Sequence, residues 1–183
     1  MIFLTHHFQN HAMFEKLTAE EILEKFQERK SILKNISALP KLDKFYISFL
    51  SKHQGLEITP DILIFDYEEA LKENKYLTNN YPTISNKLWM VGRTGQGDEW
   101  FLDKERNTIY FYDHNLGEYV NEAQFLNLGI SFLSFLQMAY LYQSLEDLLD
   151  ENEMLDESEQ HNFITIINSI SPNLYERYPF KYW

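Results

Sequence analysis

The side chains with the most evident chemical capacity lie between residues 92 and 105. The run Gly92–Asp98 (Gly-Arg-Thr-Gly-Gln-Gly-Asp) is rich in glycine, but a phosphate-binding loop would need Lys-Ser or Lys-Thr at the start of a helix. A strand-type segment follows instead, so we interpret the run as a turn between strands. Asp98 and Asp103 flank that strand at roughly 13–17 Å, given ~3.3 Å per residue. Glycosidase carboxylates are about 5–9.5 Å apart, so turn and strand-end roles are favoured.

The histidines give no specific signal either. His7 and His11 have the i, i+4 spacing of helical metal ligands, and His6 adds a nitrogen, but no fourth zinc ligand accompanies them. Asp113-His114 resembles half of a catalytic dyad, yet no nucleophile motif such as Gly-x-Ser-x-Gly occurs with it. The sequence therefore predicts no catalytic, metal-binding or cofactor-binding residue.

Two readings remain open at this point. The absence of a marked catalytic set favours a binding protein without enzymatic activity. The alternative is an enzyme whose site is assembled from scattered residues, for example Arg93, Asp98 and His114, around a deep pocket.

Composition and charge further narrow the class of protein. The 183 residues suggest one domain, with 16 basic and 28 acidic side chains and a net charge of −12, which argues against nucleic acid as a partner. The absence of cysteine excludes disulfides and thiol nucleophiles. The N-terminus lacks the pattern of a secretory signal, and the apolar stretch 125–142 is interrupted by polar residues. We therefore expect a cytoplasmic location, a buried helix over that stretch and no membrane partner.

The negative charge is concentrated towards the C-terminus. Residues 121–183 contain 2 basic and 10 acidic side chains, and no Lys or Arg occurs between Arg106 and Arg177. Eight acids fall within Glu146–Glu159. One interpretation is a solvated helix end; the other is a docking face for a basic protein. For the second, the predicted partner contacts are Asp147, Asp150, Glu151 and Glu153.

Hydrophobic periodicity predicts helices at both ends of the chain and strands between them. Thr18-Ala19-Glu20-Glu21 is a capping box, and the apolar stripe of its helix runs to Ile36. A second helix is predicted from Pro40 to before Gly55. Strands are predicted at 62–65, 89–92, 99–102 and 108–112, and helices at 130–149 and 158–170. We expect an α+β fold: an antiparallel sheet of about four to six strands packed by helices on one side, with extra N- and C-terminal helices.

These motifs, in this order, resemble the SMI1/KNR4-like (SUKH) family. The resemblance covers about residues 37–145. It rests on Leu39-Pro40, Tyr46, Phe49-Leu50 and Gly55, on Trp89–Gly92, Gly95–Asp103 and Ile109–His114, and on Ile130–Leu136, which fits a Ser-Phe-x-x-Phe-Leu pattern. Gln54 stands where the family commonly has Asn, and both terminal extensions lie outside the pattern.

The resemblance implies a single non-enzymatic SMI1/KNR4-like domain over 1–183. Bacterial members resemble immunity proteins, which bind and neutralise a cognate toxin, in many cases a basic nuclease. We therefore expect an intracellular immunity protein that needs no cofactor and binds a basic toxin domain. The alternative is a regulatory scaffold of the same fold without a toxin partner, docking another protein through the aromatic tail at Tyr178, Phe180, Tyr182 and Trp183.

Overall fold

A computed structural model describes residues 13–152 and 154–183. The helices are α1 (Ala19–Glu24), α2 (Lys44–Lys52), α3 (Tyr67–Asn80), α4 (Pro82–Ser85), α5 (Phe132–Asn152), α6 (Glu157–Ile170) and α7 (Leu174–Arg177). The strands are β1 (Leu56–Thr59), β2 (Ile62–Ile64), β3 (Leu88–Arg93), β4 (Glu99–Asp103), β5 (Ile109–Tyr112) and β6 (Leu126–Asn127). Two 3-10 turns, His114–Leu116 and Glu122–Gln124, separate β5 from β6.

The six strands form one antiparallel sheet in the order of the chain. Every neighbouring pair is therefore connected along the sequence without a crossover. The central pairing places Trp100 opposite Phe111 and Leu102 opposite Ile109. The predicted α+β class and the predicted antiparallel meander are confirmed.

Helices cover one face of this sheet. Trp100 on β4 contacts Phe135 on α5, with ring centroids 4.9 Å apart. Trp89 on β3 donates its indole N–H to the Tyr46 hydroxyl on α2 at 3.1 Å. Burial of these large aromatic side chains anchors α2 and α5 to the strands, because each removes a large apolar area from water.

The opposite face is covered by irregular chain rather than by a long helix. Phe101 on β4 packs edge-on against Phe125 at 5.2 Å and contacts Tyr119 at 6.1 Å. Both partners belong to the segment 113–125, which contains the two 3-10 turns. The sheet is thus buried on both sides, and this segment forms the surface over β4 and β5.

At Met90, β3 has a side chain rather than a strand as its hydrogen-bonding partner. β2 pairs with β3 at Leu63 and Ile64, and the Phe65 N–H donates to the Val91 carbonyl at 3.0 Å before the chain turns into α3. Asn74 on α3 accepts the Met90 N–H and donates to the Met90 carbonyl, both at 2.8 Å. A buried amide thus replaces the missing strand partner.

The predicted N-terminal helix is wrong beyond its first turns. The capping box at Thr18 and Glu21 is present, but α1 ends at Glu24. The following chain runs beside α2: Arg29 donates its N–H to the Lys52 carbonyl at 2.8 Å, and Leu33 donates to the Ser51 carbonyl at 3.0 Å. These tertiary bonds replace the helical ones.

The second predicted helix also starts later than Pro40. Its cap is Asp43, whose carboxylate accepts the Tyr46 N–H at 2.9 Å.

In the part of the chain that the structure describes, no helix combines the length and hydropathy needed to cross a bilayer.

Candidate functional site

The predicted acidic surface lies at the end of α5 and the start of α6. Asp147, Asp150 and Glu151 on α5 are exposed, so the structure presents three of the four predicted contacts to solvent. Glu153 lies outside the described residues. Asp156 and Glu157 at the start of α6 are exposed as well. We call Asp147, Asp150, Glu151, Asp156 and Glu157 the acidic surface.

The acids of this region divide into structural and unpaired groups. Tyr182 donates its hydroxyl to Glu146, and burial raises the pKa of that carboxyl. Glu159 accepts the Asp156 N–H at 2.8 Å while Asp156 accepts the Glu159 N–H at 2.9 Å, which completes a capping box. Asp156 belongs to both groups, because its carboxylate caps α6, and no described cation pairs with any member of the acidic surface.

The helices that carry the acidic surface pack against each other. Leu155, between α5 and α6, is buried. Phe163 on α6 packs against Tyr142 on α5, with centroids 5.1 Å apart. These contacts bring the exposed carboxylates at the end of α5 and at the start of α6 to neighbouring elements of the core.

The aromatic tail is packed onto the domain. Tyr178 is 1% exposed and stacks on Tyr142 at 4.2 Å. Phe180 contacts Phe111 at 5.5 Å, and Trp183, which is 40% exposed, stacks on Tyr175 at 6.1 Å. The tail therefore closes the core, and only its last ring offers a substantial surface for docking.

Asp98 and His114, which the enzymatic alternative combined with Arg93, are in contact. Asp98 is 5% exposed, and its Oδ1 lies 2.6 Å from His114 Nδ1 and accepts the His114 backbone N–H at 3.1 Å. Thr94 donates its hydroxyl to Asp98 Oδ2 at 3.2 Å. The His114 side chain is 42% exposed. A buried carboxylate that fixes an exposed imidazole suits a proton-transfer or ligand role as well as a turn lock.

Arg93 does not join this pair. It forms an ion pair with Glu69 at 3.1 Å and lies over the Phe65 ring at 5.5 Å. The three-residue site of the enzymatic alternative is therefore not assembled, although two of its members are. Instead of a deep pocket, an open cleft of about 210 Å³ adjoins His114, lined mainly by tyrosine, glutamate and glycine.

Asp98, Asp113 and His114 also offer three ligand atoms within 4.8 Å of one another, a spacing that a metal ion could bridge. Asp113 Oδ1, however, accepts both the backbone N–H and the side-chain amide of Asn115 at 2.8 Å. Asp98 is occupied by His114 and Thr94. These hydrogen bonds account for the clustering of the three groups without an ion, although both carboxylates keep acceptor sites that an ion could use. His6, His7 and His11, for which the sequence predicts no metal site, lie outside the described residues.

Comparisons with protein-family models, with curated proteins and with solved structures find no match. The SMI1/KNR4-like resemblance therefore rests on the motifs of the sequence alone.

Proposed function

We propose that this protein is a non-enzymatic binding protein of the immunity type, which acts in the cytoplasm by binding and neutralising a basic toxin domain. The observation that carries the proposal is the acidic surface: five exposed carboxylates, free of described ion pairs, in a chain segment without Lys or Arg from 107 to 176.

Such a surface suits a positively charged partner for a physical reason. Exposed carboxylates of one sign add their potentials, and this field raises the rate at which an oppositely charged protein finds its docking orientation. Internal ion pairs would weaken the field, and none of the ion pairs among residues 13–152 and 154–183 involves the acidic surface. A nuclease toxin fits this requirement, because it must itself carry a basic surface to bind nucleic acid.

The first test identifies the partner. The purified protein is used as bait for lysate and secreted fractions of the source organism, at low and at moderate salt, and bound proteins are identified by mass spectrometry. We expect a basic protein that salt releases. Expressed alone, it should arrest growth, and co-expression of the present protein should restore growth. A captured partner that is not toxic, or whose toxicity co-expression leaves intact, contradicts the proposal.

The second test assigns the surface. Asp147→Lys, Asp150→Lys and Glu151→Lys are combined in one variant. A matched control reverses three exposed acids elsewhere on the chain, Glu24, Glu28 and Glu105, so both variants change net charge equally. We expect the first variant to slow association at low salt by about tenfold or more and to flatten its salt dependence, with a much smaller effect of the control. Equal effects would show that only net charge matters and would remove the assignment.

A further inference from the structure

The open cleft beside His114 is walled by tyrosine rings and lies above β4 and β5. Tyr119 contacts Tyr81 edge-on at 4.8 Å and Tyr112 at 4.7 Å, and Tyr76 continues the wall beside Tyr81 at 6.4 Å. Tyr76 is 56% exposed, so it lies at the solvent-facing rim of the cleft. We call these four residues together with Glu99 the tyrosine cleft.

Glu99 supplies a carboxylate to this cleft. It is half-buried, and Tyr119 donates its hydroxyl to Oε2. Burial raises the pKa of Glu99, and the charges of Glu73 and Asp98 raise it further, although the Tyr119 hydrogen bond and His114 oppose the shift. Burial also raises the pKa of Tyr119, which keeps its hydroxyl protonated as the donor. The carboxylate therefore carries a desolvation cost that a nearby cation would offset.

No described cation pairs with Glu99. The basic side chain that the sheet register places opposite it is Arg93, but the guanidinium of Arg93 pairs with Glu69 instead. Glu118, a second acid, also lines the cleft. Aromatic walls beside an unpaired carboxylate form the arrangement that binds an organic cation, because ring faces attract positive charge and the carboxylate accepts its N–H groups.

We propose that the tyrosine cleft binds one arginine side chain of the basic partner, an inference that rests on the proposed function. The volume of about 210 Å³ is below the roughly 300–1,000 Å³ of sites for drug-sized ligands, and it suits a single side chain. Arginine fits better than lysine, since its planar guanidinium stacks on rings and donates in a fork to a carboxylate.

The test needs no partner protein. The ¹⁵N-labelled chain is titrated with N-acetyl-arginine N-methylamide and followed by amide NMR spectra. The neutral isostere N-acetyl-citrulline N-methylamide is the control ligand. We expect saturable shifts of amides in 114–120 with a dissociation constant in the millimolar range, and citrulline binding at least about tenfold weaker.

Two variants locate the site, and one controls for general acidity. Glu99→Gln keeps an acceptor for Tyr119 but removes the charge, and it should weaken arginine binding about tenfold. Tyr81→Leu should weaken it roughly two- to thirtyfold. Asp147→Asn combined with Asp150→Asn should change it by less than about twofold, since these acids lie on a different surface. Folding of each variant is checked in the same spectra.

Several results would overturn the inference: absence of saturable shifts, equal binding of citrulline, shifts confined to 147–151, or unchanged binding by a folded Glu99→Gln variant. Such a failure is distinguishable from failure of the proposed function. A basic toxin captured and neutralised by a protein that ignores the arginine probe would retain the proposed function and remove only the cleft. Arginine binding without any toxic partner would retain the cleft as a binding site and remove the proposed function.

Discussion

Replacement of Asn74 by alanine tests whether one buried amide completes the sheet. Its side chain makes three hydrogen bonds at 2.8 Å, to the Met90 N–H, the Met90 carbonyl and the Ala70 carbonyl. Met90 is buried, so water cannot replace the lost partners without local opening. At about 1 kcal/mol net for each bond, with a further cost for buried groups left unpaired, we expect a loss of about 3–5 kcal/mol in the free energy of unfolding. For a chain of this size each kcal/mol lowers Tm by roughly 2–4 °C.

The assay is urea unfolding followed by far-UV circular dichroism and tryptophan fluorescence, since Trp89 adjoins Met90. Asn80 provides a matched control on the same helix, because it is exposed and donates to the Tyr76 carbonyl. We expect Asn80→Ala to cost at most about 0.5 kcal/mol. Asn74→Leu keeps the number and branching of the side-chain heavy atoms and removes the bonds. If it retained wild-type stability, the side chain would act by packing alone and the reasoning would be refuted.

Two further predictions concern the tail and the cleft. Phe180→Ala should cost about 1.5–3 kcal/mol of unfolding free energy, because a half-buried ring is lost from the core, whereas Trp183→Ala should cost under about 1 kcal/mol; equal effects in thermal unfolding would contradict the packing described. The raised pKa of Glu99 means that the folded state binds its proton more tightly than the unfolded chain, so this group's contribution to stability falls as pH rises above about 4.5. Glu99→Gln removes this titration, and its stability relative to the wild type should rise over that range; a pH-independent difference would contradict the assignment.

The meander was predictable because its signals are local. Three strands rich in aromatic and β-branched residues are separated by short polar turns, so each strand pairs with the next one in the chain. β1 was missed because only two of its four residues, Ile58 and Thr59, are buried, and this leaves little alternation to detect. The extension of the predicted N-terminal helix to Ile36 was wrong for a different reason. Residues 28–33 bond to the end of α2, and a helical spacing of apolar side chains cannot report such a tertiary contact.

The candidate sites differ in the same way: some follow from the local sequence, and others depend on how the strands pair. Composition alone located the acidic surface, since it depends on which residues are absent over a long segment. The Asp98–His114 contact depends on the register that pairs Glu99 with Tyr112 and thereby brings both residues to one end of the β4–β5 hairpin. The tyrosine cleft was not predicted, because its residues come from α3 and the residue after it, from β4, from β5 and from the segment that follows β5. No periodicity in the sequence joins these rings.

The two proposed surfaces make different demands on a partner, and kinetics can separate them. Exposed carboxylates act over about a Debye length, near 10 Å at 0.1 M salt, so the acidic surface should govern the association rate and its salt dependence. The tyrosine cleft acts only on contact, after water has left Glu99, so its loss should appear in the dissociation rate. With a captured basic partner, reversal of Asp147, Asp150 and Glu151 should therefore alter association, and Glu99→Gln should alter dissociation. If both variants changed only association, the cleft would be one more part of the acidic field rather than a binding site for a side chain.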